Sequence, residues 1–168
     1  MVGGYERNEL MDFGFVHVGE DITVSRDTKF YDIRDGIIGN GVRIDDYSIL
    51  TGSIVFGDYV HISPFCFLSG TGGVIEMKDR SGIGSHVSVF TKSADYRSTL
   101  EIGDRKVTGP VVIGYRCQVG SGCRILPDVT IGDDASIGSN AVISVDIAPR
   151  AIVVSRGLGI VTVGTRRR

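Results

Sequence analysis

The sequence has no tryptophan, only four prolines, three cysteines and three histidines. Each scarcity excludes something. Three cysteines without a CxxC pair or a Cys/His cluster exclude a zinc ribbon and a disulfide-stapled secreted scaffold. Cys66, Cys117 and Cys123 instead read as buried thiols of a reducing compartment. A formal charge of −2 provides no basic field for nucleic acid, and the closing run Arg166, Arg167, Arg168 reads as a solvated basic tail. The N-terminus has no apolar signal-peptide core, and no apolar run approaches membrane-spanning length. The expectation is a soluble cytoplasmic protein with neither nucleic-acid nor membrane partners.

What the sequence does have is glycine, 24 of 168 residues, and a six-residue beat. Large apolar residues fall at Ile38, Ile44, Leu50, Phe56, Ile62 and Leu68, then at Met77, Ile83 and Val89, then at Ile113, Val119, Ile125, Ile131, Ile137 and Ile143. Four places after most beats stands a small or β-branched residue, as at Val42, Ser48, Val60, Cys66, Cys117, Cys123, Ala135 and Ala141. Helices need apolar spacings of three and four, and glycine at so many steps weakens them. Strict sixes with short β-prone pieces specify a three-sided β-solenoid in which each side takes six residues. The abundant glycine points to many tight turns.

The pattern divides the chain into an N-terminal cap segment 1–17, a solenoid 18–148 and a C-terminal cap with basic tail 149–168. Val18, Val24 and Phe30 form an imperfect first coil. Residues 74–76 break register. The beat also disappears over about 94–110, a polar stretch expected to leave the coil as an excursion loop, and such loops are commonly functional.

The string GPVVIGYRCQVGSGCRILPDVTIGDDASIGSNAVISVDIAPRAIVVSRG resembles the C-terminal half of hexapeptide-repeat acyltransferases. VRIDDYSILTG and YVHISPFCFLSG resemble the sugar O- and N-acetyltransferase subgroup of polysaccharide and O-antigen biosynthesis. The resemblance covers residues from about 15 to 160 and implies an all-β, left-handed parallel β-helix. It further implies a homotrimer with active sites between subunits, acetyl-CoA or another acyl-CoA as donor, and a sugar or sugar-nucleotide hydroxyl or amine as acceptor.

Acyl transfer needs a base for the nucleophile's proton and donors for the oxyanion. Histidine suits the first task. In relatives a histidine opens the excursion loop; the matching string here is VFTKSADY, with Ala94 at the histidine position and Asp95 next to it. The base must then come from elsewhere. His61, just before the beat residue Ile62, and His86, three places after Ile83, should both point outward, whereas His17 precedes the regular coil. His61, His86 and Asp95 are therefore the catalytic candidates. The resemblance places the acyl-CoA contacts at Gly120, Ser121 and Ser139; the family's threonine–lysine pair reads Ser144–Val145 here, and Arg156 is the candidate replacement for a phosphate-binding cation. Gln118 stands where relatives often carry tryptophan.

Two other readings compete. A non-catalytic assembly or binding module would explain the missing loop histidine. A zinc hydratase built on the same coil needs three convergent histidines, but His61 and His86 stand at unequal distances from their beats, so no metal site is expected.

Overall fold

Residues 4–95, 105–156 and 159–166 of the chain are described here, from a computed structural model. They form a triangular coil of short parallel strands. Ile44 pairs with Ile62 and Ile62 with Ile83, so each coil returns its strand beside the one before. The expected left-handed parallel β-helix is what forms.

The first face carries Phe15–Val18, Gly36–Ile38, the ends of Ile49–Phe56 and Phe67–Met77, then Val111–Ile113 and Val129–Ile131. The second carries Thr23–Val24, Arg43–Ile44, His61–Ile62, Gly82–Ile83, Gln118–Val119, Ser136–Ile137 and Ala151–Arg156. The third carries Lys29–Tyr31, the starts of Ile49–Phe56 and Phe67–Met77, then Ser88–Phe90, Arg124–Ile125 and Val142–Ile143.

The beat residues line the axis. Ile38, Ile44, Leu50, Ile62, Leu68, Met77 and Val89 are wholly buried, as are Val42, Val60, Val87 and Ala135 at the small positions. This is the period-two alternation of strands, folded at every sixth residue.

Two readings of the sequence are corrected. The register break does not lie in residues 74–76: Ile75 is buried and Ile75, Glu76 and Met77 pair with Ile54, Val55 and Phe56. The extra residues are taken up at the corner before them, around Gly70–Gly73. Nor do the glycines after the beat chiefly supply turn conformations. The left-handed corner positions mostly hold Tyr, Phe, Arg, Asp or Asn, including Tyr59, Arg80 and Asn140. Glycine is needed instead because coils approach closely. A Cβ on Gly39 would lie 2.5 Å from the Gly57 backbone, and one on Gly114 would lie 2.7 Å from the Asp133 nitrogen.

At the N-terminal end a short helix, α1 (Arg7–Asp12), carries a reciprocal cap between Glu6 and Glu9 and buries Leu10 against the first coil. At the other end Ala151–Arg156 pairs antiparallel with Gly159–Thr165. The excursion begins and ends as an antiparallel pair, Lys92–Ala94 with Lys106–Thr108. Residues 96–104, the centre of the expected loop, lie outside the described residues.

All three thiols are buried and free. Each donates to a carbonyl: Cys66 Sγ to Gly84 O at 3.2 Å, Cys117 to Gly132 at 3.0 Å and Cys123 to Gly138 at 3.1 Å. Burial pushes Cys66 and Cys117 up to about 11, and Cys123 upward as well. The thiolate is the reactive form. The folded protein is therefore expected to leave all three unmodified by a thiol reagent at pH 8, and denaturant should release three reactive thiols together. Rapid labelling of the native chain would contradict this burial.

Candidate functional site

His61 lies on the second face between Arg43 and Gly82 of the neighbouring coils. Ile62 takes the inward place, so the imidazole faces out, and its side chain is 45% exposed. Its Nε2 lies 2.9 Å from Oδ2 of Asp45. Arg43 Nε donates to the other oxygen, Oδ1, at 2.6 Å. Asp45 is buried. Burial alone would raise its carboxyl, but the hydrogen bonds from His61 and Arg43 outweigh that and hold it below the usual carboxylate range. The acid is thus anionic and can only accept. Nε2 of His61 must carry its proton toward Asp45, which leaves the Nδ1 lone pair on the neutral ring free to act as a base. An acid that orients an imidazole and fixes its tautomer is a recurrent arrangement in general-base catalysis.

The next coil presents Gly82 beside His61. A Cβ there would meet nothing closer than Gln118 Oε1 at 3.5 Å. Gly82 places no side chain between His61 and Gln118 of the neighbouring coils, and its backbone is buried. Asp45, Arg43 and Gly82 were not singled out from the sequence. The coil spacing could have found them, because Arg43 precedes His61 by one coil and Asp45 stands two residues beyond Arg43.

His86 stands at the corner between the second and third faces, exposed, with φ 62°. Its ring lies flat on Phe65, centroids 5.0 Å apart and planes 4° apart. Gly120, Ser121 and Ser139 share this corner in the following coils. A Cβ on Gly120 would lie 2.6 Å from the Ser139 nitrogen, so only backbone fits there. Asp95 sits elsewhere, where the excursion leaves the corner between the third and first faces, and its N–H donates to the Arg105 carbonyl at 3.1 Å. Arg156 is exposed at the end of Ala151–Arg156, opposite Gly159. Within one chain, then, His61, His86, the Gly120–Ser139 corner and the strand that ends at Arg156 belong to the second face and its edge, while Asp95 stands on a different corner.

A groove of about 340 Å³ lies on the first face, lined by Ile37, Val55, Glu76, Lys78 and Tyr115 among others. It includes none of the candidate catalytic residues. Among the described residues no three His, Cys, Asp or Glu side chains converge in a way that could hold a metal, and no helix is long and apolar enough to cross a membrane.

Comparison with known proteins gives this geometry a context. Residues 110–144 match the family described as bacterial transferase hexapeptide (six repeats). The chain is 33% identical over 148 residues to the dTDP-4-amino-4,6-dideoxy-D-glucose acyltransferase of Escherichia coli, covering 82% of this chain and 77% of the relative. It is 27% identical to the bifunctional protein GlmU of Trichormus variabilis, although it spans only 33% of that protein's length. The crystal structure of AntD, an N-acyltransferase from Bacillus cereus, solved with dTDP and 3-hydroxybutyryl-CoA, superposes with a TM-score of 0.89 at 29% identity over 100% of this chain and 92% of AntD. A maltose O-acetyltransferase from Clostridium difficile shares the fold, with a TM-score of 0.66 at 22% identity over 100% of this chain and 79% of that one. The chain belongs to the hexapeptide-repeat acyltransferases of sugars and sugar nucleotides. As the sequence leads one to expect, it is an acyltransferase rather than a bare scaffold.

Proposed function

We propose that this chain moves an acetyl or larger acyl group from acyl-CoA to the 4-amino group of a dTDP-linked 4-amino-4,6-dideoxyhexose, in the cytoplasm, on a route to a surface polysaccharide. The Escherichia coli relative acts on such a sugar nucleotide by its name, and AntD binds dTDP together with CoA or 3-hydroxybutyryl-CoA. The observation that carries the chemical reading is the His61–Asp45 pair, held at 2.9 Å by an acid that stays ionised.

The sugar amine attacks the thioester carbonyl directly. His61 Nδ1 accepts the proton that the nitrogen sheds, and Asp45 stabilises the imidazolium through Nε2–H. Backbone N–H groups of the tightly spaced coils receive the developing oxyanion. The C–S bond then breaks, and the CoA thiolate leaves and takes up a proton. Gly120, Ser121 and Ser139 form the backbone-rich corner along which the acyl-CoA lies, with Arg156 toward its phosphates.

A homotrimer completes the site. Asp95 stands on a different corner of the prism from His61, so a neighbouring copy is needed to bring its excursion hairpin to this second face. There Asp95 meets the acceptor amine or hydroxyls. The test is incubation of the protein with acetyl-CoA or 3-hydroxybutyryl-CoA and dTDP-4-amino-4,6-dideoxyglucose, following free thiol. Thiol release that depends on the amino sugar is expected. Its absence across a panel of amino and hydroxy sugar nucleotides would defeat the reading.

A further inference from the structure

At the corner between the second and third faces, one residue of each successive coil takes a left-handed backbone conformation: Tyr47, Phe65 and His86 at φ 62°, Gly122 at 73° and Asn140 at 59°. The first three carry rings, and the rings form a continuous stack. Tyr47 lies on Phe65 with centroids 5.1 Å and planes 24° apart, and Phe65 lies on His86 at 5.0 Å and 4°. The stack stands in solvent, with Tyr47 56% and Phe65 49% exposed. The corner geometry does not require rings. The equivalent places on the preceding corner hold Gly41, Arg80, Arg116 and Asp134 as well as Tyr59. A row of exposed rings adds little to the core, and contiguous exposed apolar surface marks a binding surface.

The stack ends at Gly122, which leaves the rung after His86 without a side chain. A Cβ at that glycine would lie 2.2 Å from Asn140 Oδ1, so the Asn140 carboxamide leans into the vacant rung from the coil beyond. Asn140 is placed there by its N–H, which donates to the Ser121 carbonyl at 2.9 Å. Among the described residues no further ring covers the second face of His86, and its imidazole makes no side-chain hydrogen bond. One space is therefore bordered by a flat imidazole already braced by Phe65 and by an amide offering both a donor and an acceptor. That combination suits a planar heterocycle with polar edges, and a braced ring loses little freedom when a ligand stacks on it.

We propose that the open face of His86, backed by Phe65 and edged by Asn140, is the stacking site for the nucleobase of one of the two nucleotide substrates. The inference rests on the acyl-transfer reading above, in which both substrates carry a base: the pyrimidine of the dTDP sugar and the adenine of acyl-CoA. It assigns His86 to binding and leaves proton transfer to His61. Loss of one base–aromatic stack weakens binding by about 5- to 150-fold.

Calorimetry on the full chain tests this with His86→Ala, His86→Phe and Asn140→Ala, using dTDP and CoA as probes and pyrophosphate and 4′-phosphopantetheine as their base-free counterparts. His86→Ala is expected to weaken either dTDP or CoA by about 5- to 150-fold, and to leave the base-free counterpart unaffected. His86→Phe, which keeps a flat ring, should restore binding. A loss confined to dTDP assigns the site to the pyrimidine, and a loss confined to CoA assigns it to adenine. Wild-type affinity of His86→Ala for both ligands overturns the site while leaving acyl transfer intact if the enzyme still turns over. A fall in kcat without any change in binding, not rescued by phenylalanine, also overturns it and makes His86 a proton acceptor. A wild-type protein that binds neither ligand and releases no thiol defeats the acyl-transfer reading together with this one.

Discussion

His61→Ala is expected to lower kcat by about 10²- to 10⁴-fold, the usual contribution of a positioned general base, with little change in KM for either substrate. The magnitude follows from the geometry. Asp45 is anionic and buried, and it holds Nε2–H, so the free lone pair lies on Nδ1. His61 is half-exposed on the second face, so its removal leaves no cavity in the axis. It does leave the buried Asp45 carboxylate with Arg43 alone, a loss of about 1–3 kcal/mol, so kcat is compared well below the unfolding temperature, which separates a catalytic loss from a folding loss. Asp45→Asn sharpens the test. An amide can donate to Nε2, which would favour the tautomer with its proton on Nδ1 and take away the base. That variant should lose most of the same activity although the ring stays in place. Activity of His61→Ala within about twofold of wild type would remove His61 from the mechanism, because a true base contributes far more than that.

Phe56→Ala is expected to destabilise the fold by about 3–5 kcal/mol. Phe56 is 1% exposed and sits on the axis, paired with Ile38 of one coil and Met77 of the next. Parallel coils above and below hold its neighbours in place, so the space left by the ring cannot close. The expected loss is a large share of the roughly 5–15 kcal/mol that holds an ordinary domain together. Urea unfolding followed by circular dichroism measures it. A loss below about 1 kcal/mol would show that the axis relaxes around the deletion, in contrast to the behaviour of close-packed cores.

The residues that line the axis were legible because a solenoid writes its geometry in one dimension. Ile38, Ile44, Leu50, Ile62 and Leu68 had to point inward if six residues make a side, and all are buried. His61 and His86 could be placed outward by counting from Ile62 and Ile83, and both are at least partly exposed. The role of glycine was less legible. Composition pointed to turns, whereas Gly39 and Gly114 are required by the approach of the next coil, a distance that exists only once the coils are stacked. The three extra residues near Gly70–Gly73 were misplaced by a few positions for a related reason. Periodicity shows that register is lost, while hydrogen bonding to Ile54–Phe56 decides where it is recovered.

Spacing and residue type along the chain were sufficient for the coil and its buried axis, because every sixth side chain meets the same environment, whereas the family was legible from the resemblance of particular strings such as YVHISPFCFLSG. The stacking of coils decided the rest. It set Asp45 and Arg43 against His61, placed Gly82 beside it, and aligned Tyr47, Phe65 and His86 into one column ending at Gly122. Those partners lie roughly one coil apart in sequence, and only lateral pairing of neighbouring strands brings them within hydrogen-bonding or stacking distance.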